Sequence, residues 1–293
     1  MRNPALDLHT HSIFSDGTLT PTALVEAAAG REVKVLALTD HDTVSGQAEA
    51  ATAAAAAGIH FVPGIELSVG YSGGTLHLLG YGIDPATPAL LATVEQLRQM
   101  RITRLGAIIE RLQALGVPLT EADVLRCCPA VDRVGRPHIA RAMVEGGWTQ
   151  NFRTAFEEYL GDQAPAYVDM PLLTEETALD AIHGAGGLAV LAHPTSLRLE
   201  DEPLAAYIER LVALGLDGLE VDTPGHANAR RRWLIKLAER LTVLCTGGSD
   251  FHTPGVGREL GQGTAQSRLK LDKFAPFLAR HIGTEGGSVV GVT

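Results

Sequence analysis

Short apolar runs separated by longer amphipathic stretches set the rhythm of this chain. Residues 6–8, 33–38, 59–63, 66–69, 75–81, 188–191, 218–221 and 242–245 are eight compact apolar runs of strand length, which read as about seven strands. Helical spacing fills the gaps at 21–29, 45–57, 175–184, 203–214 and 227–240, with Thr20 as an N-cap for the first. Strands that alternate with helices predict parallel βαβ units and an α/β fold. Seven strands fall short of the eight of a regular barrel, so the pattern predicts a distorted or incomplete barrel. Gly73-Gly74 predicts a hairpin turn before the run at 75–81.

Between 85 and 167 the rhythm changes. Leu90, Leu91, Val94, Leu97, Ile102, Leu105, Ile108, Ile109 and Leu112 recur at helical spacing across 88–115. Gly116-Val117-Pro118 ends that helix, and Thr120-Glu121-Ala122-Asp123 reads as the cap of another. Residues 136–145 and 154–160 are helical in pattern, and no comparable strand run appears. The expected organisation is a barrel in two parts, 1–84 and 168–293, with a small helical insertion at 85–167.

Composition narrows the function. Hydrophobic residues make up 45% and charged residues 20% of the 293, with a formal net charge of −10. That balance argues against a long nucleic-acid-binding surface, which needs rows of Lys and Arg, but leaves small phosphorylated ligands open because a metal cluster supplies positive charge locally. Three cysteines, two of them adjacent at Cys127 and Cys128, suggest free thiols in a reducing compartment. The opening residues lack the apolar core of a signal peptide, and no run reaches membrane-spanning length. A cytoplasmic location and no membrane partner are expected.

The chemistry sits at the ends of the apolar runs. His9-Thr10-His11, Thr39-Asp40-His41, His193-Pro194 and Ser249-Asp250-Phe251-His252 each follow one, on the edge where α/β barrels build active sites. His9 and His11 are two apart on extended chain and point to one side, as do Asp250 and His252. Asp16 lies in a turn that folds back towards His11, Glu66 stands at a strand boundary, and His77 lies inside the run after the hairpin. A single buried histidine is usually a satisfied core residue. Many together, all beside carboxylates, point to transition-metal ligation.

Outside these runs, Arg133-Val134-Gly135-Arg136-Pro137-His138 in the insertion forms a backbone-constrained loop, where Arg136 can fork onto phosphate and His138 can join it. Arg258, in the loop after His252, is a second candidate for substrate contact. Arg230-Arg231-Arg232 fans around a helix and reads as solvated surface.

Taken in order, His9-x-His11 with Asp16, Asp40-His41, Gly64-Ile65-Glu66, His77, Ala192-His193-Pro194 and Asp250-x-His252 resemble the PHP (polymerase and histidinol phosphatase) family of metal-dependent phosphoesterases. The resemblance covers 5–82 and 168–262. It implies a distorted seven-stranded, TIM-like (β/α) barrel holding three divalent ions, manganese first, with iron or zinc as alternatives. It implies that His9, His11, Glu66 and Asp250 bind one ion, that Glu66 bridges to a second completed by His77 and His193, and that Asp16, His41 and His252 hold a third. Asp40 would orient a ligand histidine. Many members have histidine where this chain has Asp16, which makes the third site harder in character. A metal-bridging hydroxide held by Glu66, His77 and His193 would attack phosphorus.

The insertion with its Gly135-Arg136-Pro137-His138-Ile139-Ala140 run resembles the branch that removes the 3′-phosphate of nucleoside 3′,5′-bisphosphates such as 3′-phosphoadenosine 5′-phosphate. Some members of that branch also trim short oligonucleotides from the 5′ end. A phosphorylated nucleotide or short oligonucleotide is therefore the expected partner. Histidinol-phosphate phosphatase and a catalytically silent metal-binding module are the alternatives.

Overall fold

The computed structural model describes residues 5–128, 134–169, 172–281, 284–285 and 288–289. Its centre is one seven-stranded sheet in the order β1 (Ala5–Asp7), β2 (Val33–Leu38), β3 (His60–Val69), β4 (Leu76–Tyr81), β5 (Leu188–Leu191), β6 (Gly218–Asp222) and β7 (Leu244–Gly247). Sequence order and spatial order coincide, as in a barrel wound strand by strand. The outer strands also meet, since the Leu8 N–H, just after β1, donates to the Gly247 carbonyl of β7 at 3.3 Å.

Parallel pairing holds for β1–β2–β3 and β5–β6–β7, while β4 runs antiparallel to both neighbours. The hairpin at Gly73-Gly74 reverses the chain into β4. The helical insertion then returns it to β5 in the opposite sense. β3 is one ten-residue strand where the sequence pattern suggested two pieces. Pro63, which has no N–H to give, sits at the last rung of the β2 ladder, and Gly64 begins the β4 ladder. The break in the pattern is thus a change of partner, with the strand continuing through it. β7 starts two residues later than its apolar run, because Thr242 takes a left-handed conformation (φ 58°) to cap the preceding helix.

Helices α1 (Pro21–Gly30) and α2 (Gln47–Ala57) cover the first strands, and α7 (Glu175–Gly184), α8 (Asp201–Ala213) and α9 (Asn228–Leu241) follow the same alternation in the second half. Thr20 caps α1, accepting the Ala23 N–H. Ala50 and Ala54 of α2 are buried beside Leu24, Val25 and Ala28 of α1. Small side chains there let two helices and the sheet approach closely.

Two compact units divide the chain, 1–93 with 173–293 and 94–172. The second is helical among its described residues: most of α3 (Pro88–Ala114), then α4 (Glu121–Cys127), α5 (Arg136–Glu145), α6 (Phe152–Ala155) and one π turn (Phe156–Leu160). It has its own core, built on Leu105, Ile108, Leu112, Leu119, Val124, Ile139, Met143 and Leu160.

Backbone close approach positions the candidate ligands. Gly248 packs directly on the end of β1, where an added Cβ would lie 2.2 Å from the His9 Cβ. Only glycine fits between β7 and the first histidine. No helix is long and apolar enough to cross a membrane among the described residues.

Candidate metal centre

Nine side chains on six strands or the loops that follow them converge on one region of the barrel unit. Glu66 on β3 is the hub, fully buried. Its Oε1 lies 2.8 Å from His77 Nδ1 and 3.0 Å from His193 Nε2. Its Oε2 lies 3.0 Å from His9 Nε2, 3.2 Å from His11 Nε2 and 3.2 Å from His41 Nδ1. One carboxylate therefore faces five imidazoles, two on one oxygen and three on the other. Asp250 Oδ1 approaches the same His9 and His11 nitrogens at 3.5 and 3.3 Å. On the other side Asp16 Oδ1 lies 3.1 Å from His252 Nε2, with His11 and His41 each 3.9 Å from its carboxylate.

The ligand atoms fall into four overlapping groups, each within 4.8 Å: His11, Asp16, His41 and His252; His9, Glu66 and His193; His9, His11 and Asp250; His41, Glu66 and His77. The chemistry of the set fits divalent ions. Buried His11 Nε2, His41 Nδ1 and Asp16 Oδ1 lack a well-formed hydrogen bond, although carboxylate oxygens or an imidazole nitrogen stand 3.1–3.3 Å away. Nitrogen and carboxylate atoms grouped this closely suit a shared divalent cation.

Electrostatics agree. Burial opposes ionisation of Glu66 and Asp16, yet the surrounding histidines hold both well below the usual carboxylate range. His41 is pushed down to about 3 by burial, which outweighs Glu66 and Asp16, so its imidazole is neutral. His9 goes the other way. Burial disfavours its charge, but Glu66 and Glu220 outweigh that and raise it to about 10.

Two of the candidate ligands sit on strained backbone. His193 (φ 25°) and Asp250 (φ 51°) are non-glycine residues in the left-handed region. Such conformations cost about 1–3 kcal/mol each and persist where surrounding contacts enforce them. His193 is held by its Nδ1 at 2.9 Å from Ser196 Oγ, whose hydroxyl donates to the Thr75 carbonyl at 2.7 Å. Asp7 fixes the approach to Asp250, accepting the Ser249 N–H at 2.9 Å, the Ser249 hydroxyl at 2.6 Å and the Gly261 N–H at 2.8 Å. Burial pushes the Asp7 carboxyl up to about 6 despite these donors.

The comparisons fit this geometry. The model of the PHP domain matches residues 7–117. A 3′,5′-nucleoside bisphosphate phosphatase of Chromobacterium violaceum is 40% identical over 87% of this chain and 90% of its own length. The chain belongs to the PHP family. A 5′-3′ exoribonuclease of Haemophilus influenzae is 36% identical over 87% of the chain and 93% of its own. A solved structure from Bifidobacterium adolescentis, provisionally named a metal-dependent phosphoesterase, superposes with a TM-score of 0.81 at 31% identity, covering 97% of this chain and 99% of that one.

Within this PHP site, Asp40 makes its hydrogen bonds to the loop that carries His11. Its carboxylate accepts the Ser12 N–H and hydroxyl, both at 2.7 Å, and the Ser15 hydroxyl at 2.6 Å. Ser15 Oγ in turn lies 3.4 Å from His11 Nδ1. Asp40 thus braces the loop after β1 that carries His11, and its hydrogen bonds reach the ring of that candidate ligand through Ser15. Arg258 lies on the candidate ligand Asp250, its guanidinium paired with Oδ2 while Oδ1 faces the histidines.

In the insertion, Arg136 donates to Asp162 Oδ1 at 2.8 Å and to the Leu160 carbonyl at 3.1 Å, with the Tyr167 ring 5.3 Å away. His138 Nδ1 accepts the Gly135 N–H at 3.0 Å and so caps α5. Arg133 lies outside the described residues. Arg231, expected to be solvated, pairs with fully buried Asp222 at 2.8 Å.

One residue of the centre escaped the sequence reading. Glu220 on β6 is fully buried and contacts two of the candidate ligands, His9 and His193. Its signal was a carboxylate inside the apolar run 218–221.

Proposed function

We propose that this PHP enzyme is a metal-dependent phosphatase acting on the 3′-phosphate of nucleoside 3′,5′-bisphosphates, such as 3′-phosphoadenosine 5′-phosphate, with 5′-to-3′ trimming of short oligonucleotides as an accompanying activity. The observation that carries the reading is the nine-residue constellation around Glu66, together with a relative of 40% identity that bears the phosphatase name. The exoribonuclease name of a second relative supports the accompanying activity.

Three ions would be held by His9, His11, Glu66 and Asp250; by Glu66, His77 and His193; and by Asp16, His41 and His252, with manganese first, then iron or zinc. When bound, divalent ions supply an activated water and neutralise phosphate charge. The chain's own work is positional. Glu66 faces both halves of the cluster through its two oxygens. Ser196 and Asp7 hold the strained turns that carry His193 and Asp250. Arg258 adds a fixed positive charge beside Asp250, suited to a phosphoryl oxygen. In the insertion, Arg136 and His138 are the candidates for gripping the remainder of the substrate.

Metal-loaded protein assayed side by side on nucleoside 3′,5′-bisphosphates, short oligonucleotides and histidinol phosphate tests the assignment. Preference for histidinol phosphate, or bound metal with no hydrolysis of any phosphoester, overturns it. Arg136→Ala is expected to lower kcat/KM for the nucleotide by about tenfold or more, the loss typical of a charged hydrogen bond to phosphate, with little change for a small generic phosphoester. Equal losses on both substrates would show that Arg136 serves the fold of the insertion through Asp162.

A further inference from the structure

We infer that Glu220 is a positioning residue that couples two ligands of the metal cluster, fixing the ring of His9 and the backbone of His193 with one carboxylate. The inference rests on the metal-centre reading above. Glu220 Oε1 lies 3.0 Å from His9 Nδ1, and its Oε2 accepts the His193 N–H at 2.7 Å. Both oxygens are therefore committed, one to each of two candidate ligands that also share Glu66.

The strand is shaped for this. β6 is buried along its whole length, and its register against β7 is irregular between Glu220 and Asp222. Such an irregularity re-aims side chains locally and recurs beside active sites. An acidic side chain in that fully buried strand has no packing rationale: it must be desolvated, and its hydrogen bonds to His9 and His193 offset that cost.

The consequence for His9 is a fixed tautomer. With the Nδ1 proton donated to Glu220, the Nε2 lone pair is directed at the region between Glu66 Oε2 and Asp250 Oδ1. Carboxylate partners of this kind orient metal-binding imidazoles and raise their basicity. For His193 the consequence is conformational. Its backbone sits at φ 25° and ψ 66°, and the short bond from its N–H to Glu220 helps to keep it there. Glu220 thus acts on two ligands by two means, a ring proton on one and a main-chain proton on the other.

Glu220→Gln tests the coupling, since it keeps the size and one acceptor but removes the charge. Manganese titration of the metal-free proteins should show one ion bound about 10- to 100-fold more weakly in the variant than in the wild type. Cobalt as a probe should show a changed visible spectrum, a signature that a purely structural role would leave alone. Equal manganese affinities and identical cobalt spectra overturn the proposal. A wild-type protein that takes up no metal overturns the metal-centre reading itself, which keeps the two failures apart. If the variant does not fold, the zinc-loaded wild type decides by nitrogen-15 correlation spectroscopy. The His9 resonance, assigned by its loss in His9→Gln, is expected to be protonated at Nδ1. Protonation at Nε2 overturns the proposal.

Discussion

Glu66→Gln should cost the enzyme at least about 10³-fold in kcat/KM, or about 4 kcal/mol of transition-state stabilisation, together with part of its bound metal. No other side chain in the centre faces so many candidate ligands. Its Oε1 serves His77 and His193, and its Oε2 serves His9, His11 and His41. An amide keeps one oxygen and replaces the other with a donor, so one of the two histidine sets loses its anionic partner whichever way the amide turns. The loss should therefore appear both as metal released on gel filtration, measured by elemental analysis, and as activity that excess metal does not fully restore. Glu66→Gln with wild-type metal content and activity within tenfold of wild type would falsify the bridging role.

Much of this centre was legible in the sequence because barrel geometry turns strand ends into a shared edge. His9 and His11 could be paired from spacing alone, and so could Asp250 and His252, since alternate residues of extended chain face one way. What spacing could not reveal was which carboxylate oxygen meets which ring. The role of Asp40 shows the limit. Its sequence neighbour is His41, but its hydrogen bonds run across to Ser12 and Ser15, a contact set by the packing of β1 beside β2.

Glu220 was missed for a similar reason. One acidic residue in an apolar run is ambiguous until the sheet brings β6 round to β1 through β7. The fold shows the same division. Periodicity located β2 and β5 to the residue, because each is bounded by turn-forming sequence. It could not show that β3 changes partner at Pro63, or that β4 runs against both neighbours. Those facts depend on where the chain returns after the insertion.

Metal affinity is expected to rise about tenfold per pH unit between pH 7 and 9, about a hundredfold in all, while the metal-free protein loses stability over the same range. Both effects come from His9, raised to about 10 by Glu66 and Glu220 against the opposing effect of burial. Below that value the metal-free protein holds a proton on His9, and a bound ion must expel it, so each unit of rising pH favours binding. Stability has the opposite sign. A histidine raised from 6.5 contributes fully below 6.5, and its contribution is lost as pH climbs towards 10. From pH 7 to 9 the loss is about 2 to 3 kcal/mol, a fall of roughly 4 °C in melting temperature for a chain of this length.

Asp7, His41 and the two shifted cysteines titrate outside this window. Asp7, raised to about 6, completes its ionisation below it, and His41, lowered to about 3, is neutral throughout. Cys127 and Cys245, raised to about 11 by burial, withdraw stability only above the ordinary thiol range. Calorimetric titration in buffers of differing ionisation heat measures the proton released, and thermal melts with and without metal measure the stability. The metal-induced rise in melting temperature should widen from pH 7 to 9. A constant metal affinity, or metal-free protein that melts no lower at pH 9, would show that His9 carries no proton there and that Glu66 and Glu220 do not charge it.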